Sequence, residues 1–127
     1  MLIRFQKLAL ASLTAAFLSG PAWAGCSDAA LALVVDDTVW PVNVTAVEAL
    51  TDADTDRAGV SLTFDARSAR IMGEVTTEHV GETMLIENEG RLVLQGVIRG
   101  AIQGGKMEVR GFDNARATEI AAEICGR

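Results

Sequence analysis

The chain has 127 residues, 50% of them hydrophobic but only 5% aromatic, and a formal net charge of −6. That length bounds a single domain with a modest core, and the acidic balance excludes nucleic acid and anionic lipid as favoured partners. So few aromatics also exclude a platform for stacking bases or sugars.

Arg4 and Lys7 precede an apolar run from Leu8 to Leu18, Gly20-Pro21 interrupts it, and Ala22-Trp23-Ala24 supplies small residues for cleavage. This is the layout of a secretory signal peptide over residues 1–24. A run of 11 residues is too short to span a bilayer, which takes about 20, and no later segment is longer. Cleavage behind Ala24 predicts one periplasmic domain, residues 25–127, with 9 basic and 17 acidic side chains and no transmembrane segment. Two cysteines remain, Cys26 and Cys125, and an oxidising compartment favours a bridge between them. A second reading stays open, because Ala24-Gly25-Cys26 is most of a lipobox, and acylation of Cys26 would anchor the chain to a membrane. That reading leaves Cys125 an unpaired thiol and places Trp23 where leucine is usual, so the bridge is the expectation.

Residues 30–35 read as a buried strand closed by Asp36-Asp37. Residues 42–50 alternate for half their length, and an acidic turn follows at 51–59. Val60, Leu62 and Phe64 alternate with Ser61 and Thr63 as a strand with one buried face. Asp65 caps a helix that runs through Ala69, Met72, Val75 or Thr76, and His79 or Val80, with Gly81 as its stop. Residues 83–87 and 91–95 flank Asn88-Glu89-Gly90 as a hairpin. A Gly-punctuated segment, VIRGAIQGG, leads to a closing strand at 106–111. Asp113 then caps a helix whose Ala117, Ile120, Ala121 and Ile124 form an i, i+3, i+4, i+7 stripe. Three strands and a helix, repeated once, predict an α+β fold: a mostly antiparallel sheet with two amphipathic helices packed on one face.

The ordered set Phe64, Ala69, Thr76, Val80-Gly81, Gly90, Val97-Ile98, Ile102, Gly104-Gly105 and Gly111-Phe112, with the Ala/Ile stripe behind it, resembles the periplasmic head subdomain of the SecD family. The resemblance covers residues 42–125 and implies a module that contacts polypeptide emerging on the trans side of the membrane. The proton-driven motor of that family needs charged pathways inside the membrane, so that activity does not carry over. Gly96 and Ala101 stand where the family usually has proline, which implies a more flexible central loop.

Three patterns mimic other chemistry. Asp52, Asp54 and Asp56 have the spacing of a calcium loop, but Arg57 and Thr63 occupy its glycine and glutamate positions, so a solvated turn is expected. Gly100 to Lys106 resembles a phosphate loop without its Ser or Thr, and a strand is expected after it. His79 is the single histidine, read as a helix-end structural residue, and Met72, Met84 and Met107 read as core fillers. Trp40 beside Pro41 reads as partly buried packing.

The expectation is thus a non-enzymatic, cofactor-free binding module whose partner is unfolded polypeptide or a translocase component. Val97, Ile98, Arg99, Ala101 and Ile102 are the candidate contact residues, because an apolar Gly-rich loop beside a sheet edge can accept an extended chain by strand addition. The competing expectation is a small enzyme or enzyme inhibitor on the same scaffold, for which Asp65, Glu78 and His79 would form the polar pocket.

Overall fold

The computed structural model describes Cys26 and residues 28–126, so the signal-peptide reading of residues 1–24 lies outside the described residues. Among the described residues, six strands and two helices follow in the expected order. These are β1 (Ala29–Val35), β2 (Thr38–Leu50), β3 (Ala58–Phe64), α1 (Ala66–Glu78), β4 (Thr83–Asn88), β5 (Arg91–Val97), β6 (Lys106–Phe112) and α2 (Asn114–Ile124). The strands form one sheet in the order β5-β4-β1-β2-β3-β6, and every pairing is antiparallel.

β2 is longer than the sequence pattern predicts, and its first half explains why. Asp36 and Asp37 both adopt positive φ, 51° and 63°, which makes a two-residue hairpin turn out of what reads as a simple strand terminator. Thr38 therefore pairs directly with Val35, and the ladder runs on to Val44 against Ala29. Pro41 sits inside this strand opposite Ala32. The position is permitted because β3 pairs with β2 only from Val44 to Leu50, leaving the other side of Pro41 without a strand neighbour among the described residues. A register shift between Val44 and Ala46 marks the handover from β1 to β3, and such bulges bend and twist a sheet.

The start of α1 closes the gap left beside β2. Asp65 accepts a hydrogen bond from the Ser68 N–H at 2.8 Å as the N-cap. The buried Ser68 hydroxyl in turn accepts the Asn43 N–H at 2.7 Å, and the Asp65 N–H donates to the Asn43 carbonyl at 3.1 Å. The Ser68 N–H above all, and then the Ser68 and Asn43 side chains, hold the Asp65 carboxyl below its ordinary range. α1 ends at Glu78 with His79 as C-cap, just short of Val80, which is 55% exposed.

Alternate residues of β1 (Leu31, Leu33, Val35), β2 (Val42, Val44) and β3 (Val60, Leu62, Phe64) enter a single core. Met72 and Val75 of α1 join it, as does the stripe Ala117, Ile120, Ala121 and Ile124 of α2. Cys26 and Cys125 form the disulfide, with Cα atoms 5.7 Å apart and a sequence separation of 99. The bridge fastens the entry to β1 to the C-cap of α2, and the Val47 N–H holds the Cys26 carbonyl at 3.1 Å. A bridged sulfur has no thiol to acylate, so the membrane-anchor reading of Cys26 gives way to the pairing.

Candidate functional site

The sheet curls until its two terminal strands, β5 and β6, border a common cleft of about 400 Å³. Buried Met84, Ile86, Leu94, Ile98 and Met107 form its apolar floor, and Arg99, Glu108 and Arg110 are its charged lining residues. Neither β5 nor β6 has a strand partner on its outer side among the described residues, so two rows of backbone donors and acceptors flank an apolar floor.

The segment between these edges is tethered along its length. Ile98 donates to the Glu82 carbonyl at 2.9 Å and accepts the Gly81 N–H at 2.7 Å. The Ile102 N–H donates to the Thr76 hydroxyl at 2.8 Å, while that hydroxyl donates to the Met72 carbonyl at 2.6 Å. The Gly105 carbonyl accepts the Phe64 N–H at 2.8 Å. Gly105 lies so close to α1 that a Cβ there would sit 3.2 Å from the Ala69 side chain, at a φ of +76° that already favours glycine. Thr76, fully buried, is thus the hinge pin between α1 and the loop.

The five candidate contact residues divide accordingly. Val97 is 54% exposed, and Arg99 and Ala101 stand open at the tip. Ile102 is half-buried against the core. Ile98 is 2% exposed and serves as cleft floor rather than as a projecting contact. Sequence reading does not pick out the other cleft residues. Met84 and Met107, read as core fillers, are that and cleft floor at once, and Arg110 enters only because β6 ends the sheet. The period-two pattern of each strand already marks their inward positions, but strand order decides which of them meet across a gap.

The polar residues named for a catalytic pocket do not converge. Asp65 caps the start of α1 and His79 its end, so a 13-residue helix of about 20 Å separates them. The His79 Nδ1 lies 3.0 Å from Glu82 Oε2, and its ring meets Trp40 edge to face at 6.2 Å between centroids. The acidic turn is likewise occupied by its own backbone. Asp52 Oδ1 accepts the N–H groups of Asp54 and Thr55 at 2.9 and 3.3 Å, which lowers its pKa, the Asp54 bond first. Asp56 Oδ1 accepts the Asn114 N–H at 2.9 Å. Behind Gly100–Lys106 the chain enters a strand, β6, whereas a phosphate loop opens a helix.

These features define a small α+β domain, a curled antiparallel sheet with an open seam and its ends joined by a disulfide. The chain belongs to the SecDF P1 head subdomain family, whose model matches residues 27–125. The match begins ahead of β1 and so includes a hairpin that the sequence resemblance leaves out. It is similar to the protein translocase subunit SecDF of Thermus thermophilus, 39% identical over 66 residues that cover 51% of this chain and 9% of that protein. The protein translocase subunit SecD of Acetobacter pasteurianus is 32% identical over 80 residues, 62% of this chain and 15% of that one. The chain thus spans a small fraction of either relative. One solved structure, described as "Crystal structure of SecDF in Super-membrane-facing form", aligns with a TM-score of 0.52 and 30% identity over 73% of this chain and 13% of that one. Another, described as "Structure and function of a membrane component SecDF that enhances protein export", aligns with a TM-score of 0.53 over 77% of this chain and 61% of that one. At 22% identity it bears on the fold alone.

Proposed function

We propose that this protein is an exported, non-enzymatic module that contacts extended polypeptide in the context of protein export. The reading takes both helices to pack on one face of the sheet, with the seam between β5 and β6 as the contact site. The observation that carries it is the apolar cleft bounded by two unpartnered strand edges. An extended chain entering there gains backbone hydrogen bonds that do not depend on its sequence, while the floor from Met84 to Met107 accepts alternate apolar side chains. Membership in the SecDF P1 head family, and similarity to relatives named as protein translocase subunits, support the export setting. The Cys26–Cys125 bridge supports an oxidising compartment, in keeping with the signal-peptide pattern.

The test is site-specific photo-crosslinking in living cells. Because Ile98 is buried, the photoreactive side chain belongs at Val97 or Ala101, with exposed Thr118 on α2 as control. Heterogeneous polypeptide adducts are expected from the first two positions and background from the third. Equal background at all three, in folded protein, removes the reading.

A further inference from the structure

The two borders of the cleft differ in kind. The exposed side chains of β6 include Lys106, Glu108 and Arg110, the type of charged guard that discourages strand pairing. β5 instead exposes Leu92 at 50% and Val97 at 54%, with Gln95 between them. Its backbone is also turned the right way. Ile98 bonds inward to Glu82 and Gly81, and successive residues of an antiparallel strand direct their polar groups to opposite edges. The N–H and C=O of Val97, and by the same alternation those of Gln95, therefore project away from β4 toward the cleft.

Charge is segregated in the same place. Residues 91–112, which build both edges and the loop, carry Arg91, Arg99, Lys106 and Arg110 against the single acid Glu108. Residues 28–90 and 113–126 carry 4 basic and 16 acidic side chains. At the cleft itself, Glu108 is engaged by Arg110 Nη2 at 3.2 Å, and Arg99 has no ion-pair partner among the described residues. The seam is a basic island on an acidic body.

We propose that the cleft selects extended segments in which apolar and acidic residues alternate, with β5 supplying the backbone hydrogen bonds and Arg99 and Arg110 receiving the carboxylates. The inference rests on the polypeptide reading above and adds the bonding edge and the charge preference. An anionic polymer without apolar side chains matches the rim but leaves the floor from Met84 to Met107 unfilled, so polypeptide is the favoured occupant.

Monomeric nonapeptides with valine at odd positions and glutamate, glutamine or lysine at even ones test this by fluorescence anisotropy on the disulfide-intact protein. At low salt the glutamate peptide is expected to bind about fivefold tighter than the glutamine one, and the lysine peptide more weakly than either. The preference shrinks in 0.5 M salt, where the screening length falls to about 4 Å. Arg99→Glu, at an exposed site, inverts the order. Val97→Pro removes one outward donor without touching the β4 ladder and weakens all three peptides about fivefold, with the circular dichroism spectrum unchanged. Equal affinity for the three peptides, still sensitive to Val97→Pro, overturns the charge selection and leaves the polypeptide reading standing. No binding by any peptide overturns both. Polyaspartate binding as tightly as the glutamate peptide overturns strand addition.

Discussion

Two connections of similar length, residues 51–57 and 98–105, are fastened by different groups. The acidic turn is held at its two ends by polar contacts with the first residue of α2. Asp52 and Asn114 exchange two hydrogen bonds, at 3.0 and 2.9 Å, and Asp56 caps the Asn114 N–H. Its aspartates thereby become part of the scaffold that docks β3 to α2. The apolar loop is held at Ile98, Ile102 and Gly105, which leaves Arg99, Gly100 and Ala101 exposed between fixed points. The acidic residues here hold the scaffold together, while the isoleucines anchor a loop that exposes Arg99, Gly100 and Ala101.

The largest perturbation falls on both regions at once. Replacing Cys26 and Cys125 by serine opens a 99-residue loop, and the chain-entropy model assigns such a crosslink up to about 4–5 kcal/mol. Urea unfolding should show a loss of that order at most, and reductant should reproduce it in the native sequence. Thr76→Val is narrower. It strands the Ile102 N–H that the hydroxyl now accepts, at a cost of about 1–3 kcal/mol. Limited proteolysis should then move to residues 99–101 while the acidic turn stays intact. Asn114→Ala does the converse, removing the two side-chain bonds to Asp52 for about 1 kcal/mol and leaving peptide binding at the cleft unchanged.

The smallest effect is on pH. Asp52 and Asp65 are both held below their ordinary value of 3.8 by backbone N–H donors. A carboxyl with a lowered folded pKa contributes stability that is complete above its unfolded value and is lost as pH falls through the folded one. Denaturation midpoints should therefore hold steady from pH 7 to about 5 and drop below about 4. Asp65→Asn, measured alongside, should flatten part of that drop.

Much of the scaffold is legible in the sequence because local rules fix it. Asp65 and Asp113 announce both helices as N-caps, and the Ala117 to Ile124 stripe is the face that is buried. Asn88-Glu89-Gly90 announces the β4–β5 hairpin, with Glu89 and Gly90 at positive φ. The Asp36-Asp37 turn escapes notice because aspartate at positive φ is less usual than glycine or asparagine there, and Pro41 argues against the strand that contains it. The cleft is legible only in half. Its loop carries a visible Gly and Ile pattern, but the partition of neighbours into exposed Val97 and buried Ile98 depends on the hydrogen bonds to Glu82 and Gly81. The pairing of that loop with Met107 and Arg110 depends on strand order, which no local pattern encodes.

Amide hydrogen exchange tests the central claim most directly. In the disulfide-intact protein, adding a saturating extended peptide should slow exchange at Val97 and Gln95, whose N–H groups face the cleft, and leave Ala117 to Ile124 of α2 unchanged. Peptide binding with no protection at Val97, or protection confined to α2, would contradict strand addition at β5.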